Sequence, residues 1–203
     1  MSQYRAQTLD QIESPVTNQN LADWLRGDPT DPIYSGLLIS ATSAVINYIQ
    51  RDLLTRTWTL TYQDWPYVGK VAPPALSNNN AMYQSRIELP YTNLISVDSV
   101  TCYGEEKTTD DYSVIDQLPA QICFESYDIY SYYSDCTDPA IVVTYQAGFG
   151  SDIRDIPEEI NQSILMIAGH MYLNRGCSTG DAMNLSGAKA VLQPFRIAGG
   201  VMF

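Results

Sequence analysis

The sequence predicts an α+β fold: a small α-helical bundle with an antiparallel β domain inserted into it. Three observations lead there. Helical spacing of apolar residues occupies both flanks, 15–56 and 151–196, and the period drops to two between them. The alternation is clearest where Trp58, Leu60 and Tyr62 interleave with Thr59, Thr61 and Gln63, and where Ile141, Val143 and Tyr145 interleave with Val142, Thr144 and Gln146. Finally, 140–175 reads without a break as a strand, a glycine turn and an amphipathic helix.

Residues 1–14 are polar, lack periodicity and read as an N-terminal arm. Thr17 or Asn18 caps a short helix whose apolar side is Leu21, Trp24 and Leu25. After the turn GDPTDP, Asp31 as cap and Pro32 in the first turn start a longer helix. It carries Leu37, Leu38, Ala41, Ala44, Val45, Tyr48 and Ile49 and should end near Arg51. Three prolines and the run Asn78–Asn79–Asn80 make 66–85 a long loop. Short strands are expected near 86–89, 95–103, 112–115 and 121–124, before 140–147. Gly148 and Gly150 flank Phe149 and suit a reversal at positive φ. Asp155 as cap, Pro157 in the first turn and Glu158 in capping-box position then open the second long helix. Ile160, Ile164, Ile167 and Met171 make it the core helix, expected to pack on 32–51, and Arg175 and Gly176 close it. A short helix in SGAKAVLQ precedes Pro194, and the chain finishes with IAGGVMF. The expected organisation is an arm (1–14), a first helical part (15–56), the inserted β domain (57–150), a second helical part (151–196) and a C-terminal tail (197–203).

Charge bounds the function. A net charge of −12 opposes sequence-specific binding to nucleic acid, which needs cations against phosphates. From Asp98 to Asp138 there are ten acidic residues and one lysine, Lys107. The plain reading is a solvated loop region, and the sharper one is a surface that does not adhere to a passing polyanion. Fifteen tyrosines suit contact surfaces, since the ring packs while the hydroxyl hydrogen-bonds. Four cysteines without a C-x-x-C pair or a signal-peptide pattern read as free thiols of a reducing compartment. The longest apolar run, 164–169, falls far short of the ~20 residues that span a bilayer, so a soluble chain is expected.

The sequence offers little catalytic chemistry. His170, the sole histidine, sits on a helix face already filled with apolar residues and reads as structural. The pairs Glu105–Glu106, Asp110–Asp111 and Glu158–Glu159 are neighbours in sequence, which diverge on a strand or helix. Gly148–Phe149–Gly150 lacks the third glycine of a dinucleotide fingerprint, and Asp152 and Asp155 would repel a pyrophosphate. No enzyme activity, catalytic residue, cofactor or metal is expected.

One resemblance gathers the segments. In order, Pro15–Val16–Thr17, the helix 37–50, Leu54–Thr55–Arg56–Thr57–Trp58, Ile87–Glu88–Leu89–Pro90, 143–150, Pro157, His170–Met171–Tyr172–Leu173–Asn174–Arg175 and Leu192–Gln193–Pro194–Phe195–Arg196 resemble the head–tail connector proteins of long-tailed bacteriophages, also called adaptor or head-completion proteins. The long 65–85 loop, the acidic tyrosine-rich stretch at 127–135 and the IAGGVMF ending depart from that pattern. The resemblance implies a helical core with an inserted β domain and a ring, usually a dodecamer, below the portal at the capsid vertex. It implies three partners: further copies of itself, the portal protein, and a downstream neck or tail protein. Genomic DNA would pass through the channel without specific binding, and no membrane is involved. The location implied is the virion neck, after synthesis in the host cytoplasm. Phe195, Arg196, Ile197, Val201, Met202 and Phe203 are the expected portal contacts, with Gly199–Gly200 as a joint. Glu105, Glu106, Asp110, Asp111, Asp128 and Asp135 are the expected acidic surface of the channel or its loops. Two alternatives stand beside this reading: another neck or tail component, such as a tail terminator or stopper, and a carbohydrate-binding β domain stacking sugars on Tyr130 and Tyr132.

Overall fold

The computed structural model describes residues 4–8, 10–63, 85–91, 93–124 and 139–197. The fold is α+β, and the chain divides into two compact units, each built from separated pieces. One comprises 1–9 and 57–146, the other 10–56 and 147–203.

The helical unit contains α1 (Asn18–Leu25), α2 (Ile33–Ile49), α3 (Glu158–Leu173), α4 (Thr179–Leu185) and α5 (Ala188–Leu192). α3 is its centre and packs on each of the other four. Ile160, Ile164 and Ile167 are fully buried, as are Leu21 of α1, Ala41 and Ile49 of α2, and Leu192 of α5. Met171 is only half-buried. Asp31 fastens the two long helices together. One carboxylate oxygen accepts the Ile33 N–H at 3.1 Å from just outside α2, whose cap is Pro32 rather than Asp31, and the other accepts the Tyr172 hydroxyl of α3 at 3.3 Å.

Three local features differ from the sequence reading. The capping box lies one turn early: Asp152 caps a 3-10 turn, Ile153–Asp155, and Asp155 accepts the Asp152 N–H at 3.1 Å. Pro157 then stands at the cap of α3 itself, because it has no N–H to satisfy. At the far end α3 stops at Leu173 and Asn174 takes the cap. In α1 the buried residues are Leu21 and Ala22, and Trp24 is 48% exposed. Its indole lies against Gly169 of α3, where an added Cβ would come within 3.2 Å of the ring. A two-turn helix buries a narrow stripe, so one ring face packs and the other stays in water.

Among the described residues the β unit shows eight strands: β1 (Tyr4–Gln7), β2 (Arg56–Tyr62), β3 (Ser85–Glu88), β4 (Leu94–Cys102), β5 (Glu105–Glu106), β6 (Tyr112–Ile115), β7 (Gln121–Phe124) and β8 (Ile141–Ala147). They form a five-stranded sheet, ordered β1-β2-β8-β4-β5, and a three-stranded sheet, β3-β7-β6. Part of the polar 1–14 segment is therefore strand. β1 pairs antiparallel with β2, Ala6 opposite Leu60, and satisfies what would be a free edge. Four residues are too few to show a period, which hides β1 in the sequence. Trp58, Leu60 and Tyr62 point inward from β2, and Ile141, Val143 and Tyr145 from β8. The Trp58 ring stacks on Tyr91 at 4.4 Å, and the buried Tyr145 hydroxyl donates to the Pro90 carbonyl at 2.6 Å.

The helical unit resumes where β8 ends. The Thr55 N–H donates to the Gly150 carbonyl at 2.9 Å, and the Phe149 N–H to the Leu53 carbonyl at 3.1 Å. Gly148 is required for that approach: φ is +149°, and a Cβ there would lie 2.6 Å from the Leu54 carbonyl oxygen.

Ile164→Ala leaves a cavity at the centre of the helical unit, where surrounding side chains collapse only in part. Denaturant melts of the purified chain should show a loss of ~2–5 kcal/mol. A loss within ~0.5 kcal/mol, the scale of surface changes, contradicts the packing described.

Candidate functional site

Among the described residues, no group of three or more His, Cys, Asp or Glu is arranged to hold a metal ion. None of the described helices is long and apolar enough to cross a membrane.

Residues 193–197 are anchored to α2. After α5 comes a 3-10 turn, Gln193–Phe195, with Pro194 in it. The Tyr48 hydroxyl donates to Gln193 Oε1 at 2.6 Å, and the Arg196 guanidinium lies 5.5 Å above the Tyr48 ring. The Ile197 N–H donates to the Ile49 carbonyl at 3.2 Å, occupying one of the acceptors that a helix C-terminus leaves open. Of the expected portal contacts, Arg196 is exposed and Phe195 half-buried. Ile197 faces its own subunit at 7% exposure, because the backbone bond to α2 turns it inward. Val201, Met202 and Phe203 lie outside the described residues. His170 is half-buried and its carbonyl accepts both the backbone and side-chain N–H groups of Asn174, which ties it to ending α3.

The acidic surface has a definite local frame. β4 turns at Tyr103 and Gly104, both at positive φ, into β5, where Glu105 faces Cys102 and Glu106 faces Thr101. Both glutamates are exposed. Lys107 lies 3.9 Å from Glu105, a pair open enough to water to contribute little stability. Asp110 is exposed in the next turn, and Asp111 closes that turn by accepting the Thr108 N–H at 2.8 Å and its hydroxyl at 2.9 Å. Those two hydrogen bonds, the backbone one first, hold the Asp111 carboxyl below its ordinary value. The structure thus gathers Glu105, Glu106, Asp110 and Asp111 into one hairpin and its following turn. Asp128 and Asp135 lie outside the described residues, as do Tyr130 and Tyr132.

One feature of the helical unit escaped the sequence reading. A groove of about 630 Å³ is lined by Val16, Asn20, the 3-10 turn, Pro157, Asn161 and Leu165. Of the lining residues, Asn161 is buried at 6% exposure and Ile153 is 38% exposed. The signal in the sequence was the Asp152–Asp155 spacing, which places a 3-10 turn before Pro157. It holds no nucleophile paired with a base.

No protein-family model matches the sequence, and neither does any curated protein. Solved structures do match its fold. A chain in the neck of an empty gene transfer agent (GTA) particle, computed with C6 symmetry, superposes with a TM-score of 0.65 at 15% identity. It covers 97% of this chain and 98% of that one. A chain of the virion of a native gene transfer agent particle gives a TM-score of 0.63 at 15% identity, over 96% of this chain and 98% of that one. A third, in the neck of a native GTA particle computed with C12 symmetry, gives 0.59 at 15% identity, over 96% and 99%. The likeness is one of fold, and it extends along nearly the whole chain.

Asp111 gives the turn a pH dependence. A carboxyl held below its ordinary value stabilises the fold above that value, and the contribution is lost as pH falls through the lowered one. NMR titration should place the Asp111 midpoint below 3.8, with Thr108→Ala moving it part of the way back and the backbone bond keeping the rest. A midpoint at or above 3.8 in the unmodified chain contradicts this turn.

Proposed function

We propose that this chain is a non-enzymatic structural protein of a virion neck, forming a homo-oligomeric ring that joins the capsid portal to the tail and extends the DNA channel. The observation that carries the reading is the near-complete match in fold to neck chains of gene transfer agent particles, at a TM-score of 0.65 over 97% of the chain. Symmetric neck assemblies computed with C6 and C12 symmetry support a ring, and a dodecamer is the form we propose. The charge agrees: a chain of net charge −12 repels DNA, as a conduit should.

In this reading the helical unit carries the portal contact. The Ile49 carbonyl at the C-terminal end of α2 holds Ile197, and the sequence that follows includes Val201, Met202 and Phe203. Each such side chain contributes ~1.5–3 kcal/mol when buried in a partner, before ordering costs, and a ring multiplies the sites. The acidic hairpin of β4 and β5 faces the channel or its loops, and the β unit meets the downstream neck or tail protein.

Particles assembled without this chain should yield DNA-filled heads lacking tails, and adding the purified protein should restore attachment. Protein lacking 199–203 should melt at the same temperature yet fail to bind portal-bearing heads. Heads that acquire tails without the chain end the proposal. Normal attachment of the truncated protein, or its unfolding, ends the assignment of the tail as anchor.

A further inference from the structure

A ring needs a surface through which one copy meets the next, and α2 carries one. Its 17 residues, IYSGLLISATSAVINYI, include no charged side chain, in a chain whose net charge is −12. One side is spent on the core, through Tyr34, Leu38, Val45 and Ile49. The other presents Ile33, Gly36, Ile39, Ser40, Ser43 and Asn47, with Ile33 41% and Ile39 47% exposed. A helix face left to water ordinarily carries charge. This one is uncharged, with two isoleucines among small and neutral polar residues.

Gly36 sharpens the point. It lies inside the helix, away from the positive-φ positions, and a Cβ added there would meet nothing within 4 Å. Neither the backbone nor the packing of its own subunit calls for glycine. Yet an interior glycine weakens a helix more than any residue except proline. The residue makes sense if another backbone approaches this face closely, between the low ridges of Gly36, Ser40 and Ser43.

We infer that the outward face of α2 is the contact with a second copy of this chain, an inference that rests on the ring reading above. Charge favours a second copy over a different partner. Copies each carrying −12 repel one another, so they can pack closely only through a face without carboxylates, whereas a basic partner would be drawn to the acidic hairpin instead. Area says where the contact forms. A helix of this length is about 25 Å long and about 10 Å across, roughly a third of the ~800 Å² per partner of a stable pair. That is too little for a free dimer. In a closed ring each copy is engaged on two sides, so the contact belongs to the assembled particle.

The test places the photo-crosslinker p-benzoylphenylalanine at Ser40, and separately at Asn47, in complete particles. Illumination should give a ladder at multiples of 22.6 kDa on a denaturing gel. Adducts of any other mass, or none, overturn the inference while leaving the neck reading intact. A chain missing from purified wild-type particles overturns both. As a companion, Gly36→Ala should melt at or above the wild-type temperature as an isolated chain, yet enter particles several-fold less well in competition with wild type. A lowered melting temperature assigns the glycine to the subunit's own fold, and equal incorporation shows that no neighbour needs the space; either result overturns the contact.

Discussion

Two backbone hydrogen bonds, Thr55 N–H to the Gly150 carbonyl and Phe149 N–H to the Leu53 carbonyl, join the pieces of chain that make the helical unit. Those pieces are separated by residues 57–146, and nothing else in the fold makes sense unless the departing and returning strands meet there. Gly148 makes the approach possible, since a side chain would run into the Leu54 carbonyl. Beside it, Asp52 is fully buried and paired with the Arg56 guanidinium at 2.9 Å, while another guanidinium nitrogen donates to the Asp10 carbonyl at 2.8 Å. Such a pair adds little over apolar packing, but losing one partner leaves a buried charge and costs ~3–5 kcal/mol. It fixes where the chain crosses rather than how tightly the unit holds.

Once the crossing is fixed, α3 takes the centre and the surfaces follow. α1, α2, α4 and α5 all lean on it, and Asp31 pins α2 to α3 at one end. The far side of α2 is left without charge and partly exposed, and residues 193–197 are drawn back onto α2 through Ile197, Tyr48 and Arg196. The helical unit carries an uncharged helix face, and the β unit carries an acidic hairpin.

Much of this was legible in the sequence, because long periodic segments report their own burial. Ile160, Ile164 and Ile167 recur at helical spacing, and Ile141, Val143 and Tyr145 at strand spacing, and all six are buried. What was hidden depended on partners distant in sequence. β1 is a strand because β2 offers it an edge, and Ile197 faces inward because the Ile49 carbonyl lacks a donor. Asp155 was assigned to the wrong turn, since capping-box spacing fits both the 3-10 turn and α3, and Pro157 decides between them. Of the candidate contact surfaces, the acidic hairpin could be read from composition. The groove beside α3 could not, for its walls come from residues 16–20 and 153–165. Gly36 was visible as a letter, yet its openness is a property of the folded helix alone.

A symmetry-averaged reconstruction of purified particles decides whether this chain is a ring component of the neck, as we propose. A neck component gives a closed ring of copies between the capsid vertex and the tail, enclosing the channel, with density that accepts both units. Density for the chain in the capsid shell or at the tail tip, or single copies without rotational symmetry, would contradict it.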